Sequence, residues 1–490
     1  MRDLSRLLRP SSIAIIGGGE WGRNIIRNLQ KGGFSGEVWP VHPKHADVEG
    51  VAAYPSVSEL PKAPDLAYIA VNRHVTIEVV ADLNAMGAGG AICFASGFSE
   101  AFAEDAAGAD LQAQLLQAAG EMTVIGPNCY GFLNYLDGAV LWPDQHGGTP
   151  VQSGVAMICQ SSNMAINISM QARGLPLAYL LTAGNQAQTG ISAMGLGLLE
   201  DPRVTALGLH IEGVDDIREL EALSKRADEL GKSIVALKVG RSEQARAATV
   251  SHTASLAGSD AGSAALFQRL GIAQVSSLPA LLECLKILHV SGPLSSNRIA
   301  SMSCSGGEAS LMADSALQFE LEFPKLNDAQ SSGLRAALGP MVALANPLDY
   351  HTYIWRNPQK IGETFAAMMV GDLALGLVVL DFPRADRCNP IEWNDVVEGA
   401  KFAMDATGKP MAIVASLSEC LPEAEALKMV SMGIVPLSGI QEGLEAVSAA
   451  PLRHISIANQ ICDDSLPLRQ TCAGRVGAGN CALAAETPCY

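Results

Sequence analysis

The chain is poor in aromatic residues, which make up 5% of its 490 positions, and in cations, with 33 Lys and Arg against 50 Asp and Glu. A net charge of −17 argues against nucleic acid or an anionic membrane as the principal partner. A small anionic ligand is not excluded, because local backbone amides and single lysines hold one. No run of about 18 apolar residues occurs, so no membrane span is predicted. The start, Met1-Arg2-Asp3-Leu4-Ser5, is charged and lacks a signal-peptide core. The 11 cysteines include no Cys-x-x-Cys pair, and Cys93, Cys159 and Cys304 sit in strand-like apolar runs. Buried free thiols in a reducing cytoplasm are the expectation.

Hydrophobic residues reach 48%, and there are 48 glycines. That profile suits Ala/Val/Ile-rich α/β layers with many tight strand-to-helix turns. A length of 490 residues exceeds one core. Three stretches open in the same way, with an apolar strand, a Gly- or Ser-rich turn and a helical period. They are Ser12–Ile16 into Gly17-Gly18-Gly19, Val155–Cys159 into Gln160-Ser161-Ser162-Asn163, and Ile299–Cys304 into Ser305-Gly306-Gly307. Each predicts a doubly wound parallel sheet with helices on both faces. Loop-forming composition at 147–150 and 291–293 divides the chain into domains at 1–146, 150–292 and 297–455. Residues 456–490 have no apolar period and are read as an irregular tail.

In an open α/β sheet, ligands bind at the C-terminal edge of the strands. In the first domain that edge is predicted to carry Gly17, Gly18, Gly19, Lys44, Val71, Asn72, Ser96, Gly97, Asn128 and Cys129. Gly17, Gly19 and Gly22 satisfy the dinucleotide pattern G-x-G-x-x-G. An NAD site also wants an acidic residue at the end of the second strand. That position reads Val41-His42-Pro43-Lys44 instead, and a cation there suits a ligand with an extra phosphate, such as CoA or NADP.

In the second domain, a loop poor in large apolar residues runs from Gly240 to Asp260 around one imidazole, His252. Neutral imidazole has a free ring lone pair near pH 7 and serves as a phosphoryl acceptor when its other nitrogen is held by an acceptor. Glu212, at the end of the apolar strand 209–211, is placed on the same edge. Gln160, Ser161, Ser162 and Asn163 stand where a strand enters a helix, whose N-terminus attracts anions. His42 and His210 have no neighbours of metal-ligand spacing and are read as structural, with no metal site expected.

Ser251-His252-Thr253-Ala254-Ser255-Leu256-Ala257-Gly258-Ser259-Asp260 resembles the phosphohistidine segment of the NDP-forming acyl-CoA synthetases, relatives of succinyl-CoA synthetase. The resemblance extends over residues 5 to 455 through Pro127-Asn128-Cys129-Tyr130-Gly131, Gln160-Ser161, Gly184-Asn185, Ile211-Glu212-Gly213 and Asn346-Pro347-Leu348-Asp349. It implies a Rossmann-like CoA-binding domain followed by two flavodoxin-like succinyl-CoA synthetase-type domains. Val41-His42-Pro43-Lys44 is similar to the family's Val-Asn-Pro-Lys, which favours CoA over a nicotinamide cofactor. His252 is implied as the phosphohistidine, Glu212 as its support, and Gln160 to Asn163 as the phosphate site. Ser162 stands where the family usually has glycine, and Gly17-Gly18-Gly19 replaces its commoner Gly-Ala-Ser. No second glycine-rich loop with carboxylates to hold Mg2+ and ATP is found. The implied protein is therefore an α-type subunit making acyl-CoA from a carboxylic acid, CoA and ATP, with ADP formed on an ATP-grasp β-type subunit in a hetero-oligomer. The other readings are a non-catalytic regulator that binds CoA or acyl-CoA and an NAD(P)-dependent oxidoreductase. The third domain is read as scaffold, with Asp349-Tyr350-His351 as its candidate reach toward the acyl pocket.

Overall fold

A computed structural model describes residues 2–101, 105–214, 216–245 and 260–451. His252 and the tail 456–490 lie outside the described residues. Short apolar runs build the first sheet from β1 (Ser12–Ile16), β2 (Glu37–Val41), β5 (Leu66–Ile69), β6 (Gly90–Cys93) and β7 (Thr123–Ile125). A two-stranded antiparallel ribbon, β3 (Asp47–Val48) with β4 (Val51–Ala52), stands apart. The five strands are parallel in the order β2-β1-β5-β6-β7. Every residue of β1, β5, β6 and β7 is buried, as expected where helices cover both faces. Those helices are α1 (Ser5–Leu8), α2 (Glu20–Lys31), α3 (Arg73–Met86) and α4 (Gly108–Ala119).

The second sheet contains β8 (Phe132–Asn134), β9 (Ala139–Leu141), β10 (Gly154–Cys159), β11 (Leu177–Thr182), β12 (Val204–Ile211), β13 (Ser233–Lys238) and β14 (Ala273–Val275). Its order is β14-β13-β12-β10-β11-β8-β9. From β10 to β14 it is parallel, but β8 runs antiparallel to both β11 and β9. The sheet is thus mixed rather than wholly parallel. By strand pairing, residues 132–141 join this second sheet, although the loop composition places the division at 147–150. The reason is local: the Asn134 side chain accepts from the amides of Leu136 and Asp137, and Gly138 has φ +70°, which closes a hairpin. The Gly/Pro-rich stretch beyond it is only a connector within one sheet. The covering helices are α5 (Ser162–Ser169), α6 (Ile191–Leu199), α7 (Ile217–Glu229), α8 (Asp260–Arg269) and α9 (Leu278–Val290).

The third sheet is parallel, in the order β16-β15-β17-β18-β19. Its strands are β15 (Ile299–Ser303), β16 (Leu348–Asp349), β17 (Leu375–Val379), β18 (Met411–Ala415) and β19 (Val435–Ser438). Around it lie α10 (Gly306–Ala316), α11 (Asp328–Leu338), α12 (Pro358–Met368), α13 (Asn394–Thr407), α14 (Glu423–Met432) and α15 (Ile440–Ala449). The second and third sheets share a core, because α9 is buried all round from Ala280 to Leu288 and packs against both. That helix also buries two charges. Glu283 pairs with Lys286 at 2.7 Å and with Arg173 at 2.8 Å, and it accepts the Ser438 amide at 3.0 Å. Lys286 donates to the Arg173 carbonyl at 3.1 Å. Arg173 follows α5 and Ser438 ends β19, so this triad fastens the second domain to the third.

Among the described residues, no helix is long and apolar enough to cross a membrane. Cys93 and Cys159 are buried free thiols, while Cys304, just past β15, is partly exposed.

Candidate active site

The parallel register brings Ile16, Val41, Ile69 and Cys93 to one edge of the first sheet, where the predicted ligand loops begin. Gly17 has φ +113°, and a Cβ there would lie 2.6 Å from the Ala70 carbonyl oxygen, so only glycine fits. A Cβ on Gly22 would collide with the Gly17 carbonyl oxygen, so glycine keeps α2 tight against the turn. Gly19 is the N-cap of α2, with nothing within 4 Å of where its Cβ would stand. The first amides of α2 therefore open onto the edge. Val71 packs against Gly17. Asn72 is occupied as the N-cap of α3, accepting from His74 N at 3.1 Å and Val75 N at 3.2 Å. The His42 ring lies against Gly18, and its Nδ1 accepts from the amides of Lys44 and His45 at 3.1 and 3.0 Å. Burial, with His45 and Lys44 nearby, holds His42 below the usual imidazole range, so it is a neutral post for the loop that leaves Lys44 exposed.

On the other flank of this edge, Ser96 is exposed and Gly97 has φ +92°. Arg73 donates to the Gly97 carbonyl at 2.6 Å, and the Gly97 amide donates to Glu100 at 2.7 Å. The second Glu100 oxygen accepts from the Asn185 side chain. Glu100 thus joins the first-domain loop to the second domain, a role no motif signalled, although it lies only three residues beyond Gly97. Asn128 is exposed at φ +55°. Cys129 is fully buried, its thiol 3.2 Å from the Thr182 carbonyl, and burial pushes its pKa up to about 11. The Cys129 side chain therefore braces the loop from within. Gly184, at φ +58°, would with any Cβ meet the Pro127 carbonyl at 2.5 Å. Asn185 N and Ala187 N donate to the Pro127 and Gly126 carbonyls at 2.9 and 3.1 Å. The first and second domains meet at these strand ends.

At the second sheet's edge, Gln160 follows β10 and Glu212 follows β12. The Gln160 side-chain oxygen Oε1 accepts from the amides of Glu212 and Gly213, the latter at 3.0 Å, while Nε2 donates to Gly213 O at 3.2 Å. The Gln160 side chain is therefore spent on orienting the Glu212 turn. Ser161 caps α5 by accepting from Met164 N at 3.3 Å, and Ser162 and Asn163 supply the opening amides of that helix. Lys238, level with Ile211, is buried. Burial lowers its pKa, and the carboxylates of Asp260 and Glu212 pull the other way, which places all three groups together. Arg241 pairs with Asp260 at 3.1 Å. These two residues flank the segment 246–259 that carries His252, and one of them, Asp260, acts with Glu212 on Lys238. His210 is buried, with burial depressing its pKa, as suits a structural ring.

The third sheet's edge differs in charge. Glu308, in the first turn of α10, has its pKa raised by burial and by Asp381 and Asp349. Asp349 stands 3.2 Å from where a Gly306 Cβ would be, and Asp381 accepts from the Ser416 amide and hydroxyl at 2.8 and 2.7 Å.

Two family models match this chain: a CoA binding domain over residues 11–135 and a succinyl-CoA ligase like flavodoxin domain over residues 152–288. Together with the three sheets, they define a CoA-binding, succinyl-CoA ligase-type α/β protein. More narrowly, the chain belongs to the NDP-forming acyl-CoA synthetase family, in its α-subunit-like part. It is 30% identical over 396 residues to a trans-feruloyl-CoA synthase of an unknown prokaryotic organism, covering 79% of this chain and 55% of that protein. It is 29% identical to the α subunit of the ADP-forming acetate–CoA ligase II of Pyrococcus furiosus, covering 71% of this chain and 76% of that subunit. The structure is similar to that of the dinucleotide forming acetyl-coenzyme A synthetase 1 of Ca. Korarchaeum cryptofilum in complex with phosphate and ADP. The TM-score is 0.78 at 24% identity, over 92% of this chain and 96% of that one. The chain spans about half the length of the single-chain curated relatives it matches.

Proposed function

We propose that the chain is the CoA-binding, phosphohistidine-bearing half of an ADP-forming acyl-CoA synthetase, an acid–thiol ligase. The reaction is acid + ATP + CoA to acyl-CoA + ADP + phosphate. His252 takes the γ-phosphoryl of ATP and passes it to the carboxylate, giving an acyl phosphate. The CoA thiolate then attacks the acyl carbon and phosphate leaves. ATP, with its Mg2+, is held by an ATP-grasp β-type subunit on another chain, in a hetero-oligomer. The Pyrococcus furiosus relative, named as an α subunit, supports that division. The free thiols suit a cytoplasmic setting.

One observation carries this reading. The stems of the His252 segment, Glu212 and the opening of α5 share one sheet edge, and that edge abuts the CoA-type domain through Asn185 and Pro127. CoA lies along the first sheet's edge, with its diphosphate at Gly17, Gly18 and Gly19 and the amides of α2, and its extra phosphate toward Lys44. Val71, Asn72, Ser96, Gly97 and Asn128 line the cleft, and Cys129 supports it from beneath. Glu212 accepts from the imidazole and fixes its tautomer, while Ser161, Ser162 and Asn163 present amides to the departing phosphoryl group. A regulator that binds CoA without catalysis is the second reading, and Ser162 at the family's glycine position favours it.

Incubation with radiolabelled phosphate and an acyl-CoA separates the two. The synthetase half takes up about one acid-labile label per chain, and His252→Ala takes up none. CoA binding without label in the unmodified protein would establish the regulator instead.

A further inference from the structure

In a chain with 5% aromatic residues, five of them form one connected cluster. Trp142 and Tyr68 are fully buried, and Tyr130 and Phe94 are half-buried above them. Trp21 is outermost, at 44% exposure. Ring centroids are 5.3 Å apart for Tyr130–Trp142, 6.2 Å for Tyr68–Phe94 and 5.7 Å for Phe94–Tyr130. Trp21 closes a triangle with Phe94 at 5.6 Å and Tyr130 at 6.4 Å. The buried rings hold the upper ones in place: the Tyr68 hydroxyl donates to the Tyr130 carbonyl at 3.0 Å, and Tyr130 donates to Asp144 at 3.4 Å. Trp21 is the second residue of α2, directly after the glycine turn. Its ring reaches past β5 to Phe94 beyond β6 and to Tyr130 beyond β7. Core packing does not require that exposure, and large apolar surface left at a ligand edge marks a binding face.

The order of the sheet decides which part of a ligand meets this face. Lys44 stands beyond β2 at one margin, the glycine turn is at β1, and Tyr130 stands beyond β7 at the other margin, against the second domain. A CoA thioester with its extra phosphate at Lys44 and its diphosphate at the glycine turn carries its acyl end to the β6–β7 side. We propose that Trp21, Phe94 and Tyr130 form the acyl-recognition wall and select a planar aromatic acyl group over acetyl. This assignment rests on the CoA orientation proposed above. Offset or edge-on ring contacts add affinity beyond the area they bury.

Titration calorimetry of the full chain with CoA, acetyl-CoA and benzoyl-CoA tests it. Benzoyl-CoA is expected to bind about tenfold more tightly than acetyl-CoA. Trp21→Ala should erase that difference while leaving CoA and acetyl-CoA within about twofold, and Trp21→Phe should keep most of it. Because Trp21 is well exposed, neither variant threatens folding. Equal binding of the two thioesters overturns the aromatic wall. So does a uniform loss for all three ligands in Trp21→Ala, which would place the adenine on Trp21. Failure of every CoA species to bind would overturn the CoA reading as well, so the two failures are distinguishable.

Discussion

The second and third sheets present the same local architecture with different electrostatics, the second edge balanced in charge and the third acidic. In each, an apolar parallel strand ends in a Ser-containing turn and enters a helix, α5 after Ser161 and α10 after Ser305. The second edge spends a neutral amide, Gln160, on backbone positioning and keeps its carboxylate, Glu212, beside Lys238 and the Arg241–Asp260 pair. The third edge crowds Glu308, Asp349 and Asp381 together, and Glu308 Oε2 has no hydrogen-bond partner among the described residues. A helix N-terminus favours an anion, but only where fixed negative charge does not already fill the site. The comparison teaches that the fold supplies the helix end, while a few polar side chains decide whether phosphate is welcome there.

Breaking the common body should have the largest effect. Glu283→Ala leaves Lys286 buried without its carboxylate, and loss of one partner of a buried pair costs about 3–5 kcal/mol. Denaturant unfolding should show that loss, and a normal midpoint would mean that the second and third sheets are held together by apolar packing alone. Next comes the second edge. Gln160→Ala frees the Glu212 turn and, on the proposed function, is expected to slow label uptake at His252 by about 10- to 100-fold with little change in unfolding midpoint. An unchanged rate would detach Gln160 from Glu212 positioning.

The third edge should give the smallest change, and its sign is fixed. The folded pKa of Glu308 is raised above its unfolded value, so its ionised form is disfavoured in the fold. The penalty is present at high pH and disappears as pH falls through the folded value. Glu308→Gln should therefore raise Tm by roughly a degree or two at pH 8 and leave it unchanged near pH 4. Equal shifts at both pH values would show that the gain is not electrostatic.

Much of the backbone architecture at these edges was legible in the sequence because strand ends and turn glycines are local signals, whereas the acidic crowding of the third edge was not. Gly17, Gly22 and Gly184 announce close backbone approaches, and the structure gives each its neighbour. What the sequence could not tell is how distant side chains are spent. Gln160 reads as a phosphate ligand until its amide is found on the Glu212 turn, 52 residues away. Cys129 reads as a cleft residue until its thiol is found against Thr182. Glu100 and Trp21 are named in no motif, and Tyr130 only as one letter of the 127–131 segment, so their meaning comes from partners across several strands. The β8–β9 hairpin was hidden for a related reason: its strands are three residues each, and only pairing with β11 assigns them to the second sheet.

A crystal structure of the protein grown with CoA and inorganic phosphate tests the central claim most directly. The account predicts CoA along the first sheet's edge, with its diphosphate over Gly17, Gly18 and Gly19, and a phosphate at the Ser162 and Asn163 amides. Phosphate seated instead at Gly306 and Gly307, or CoA bound away from the first sheet, would contradict it.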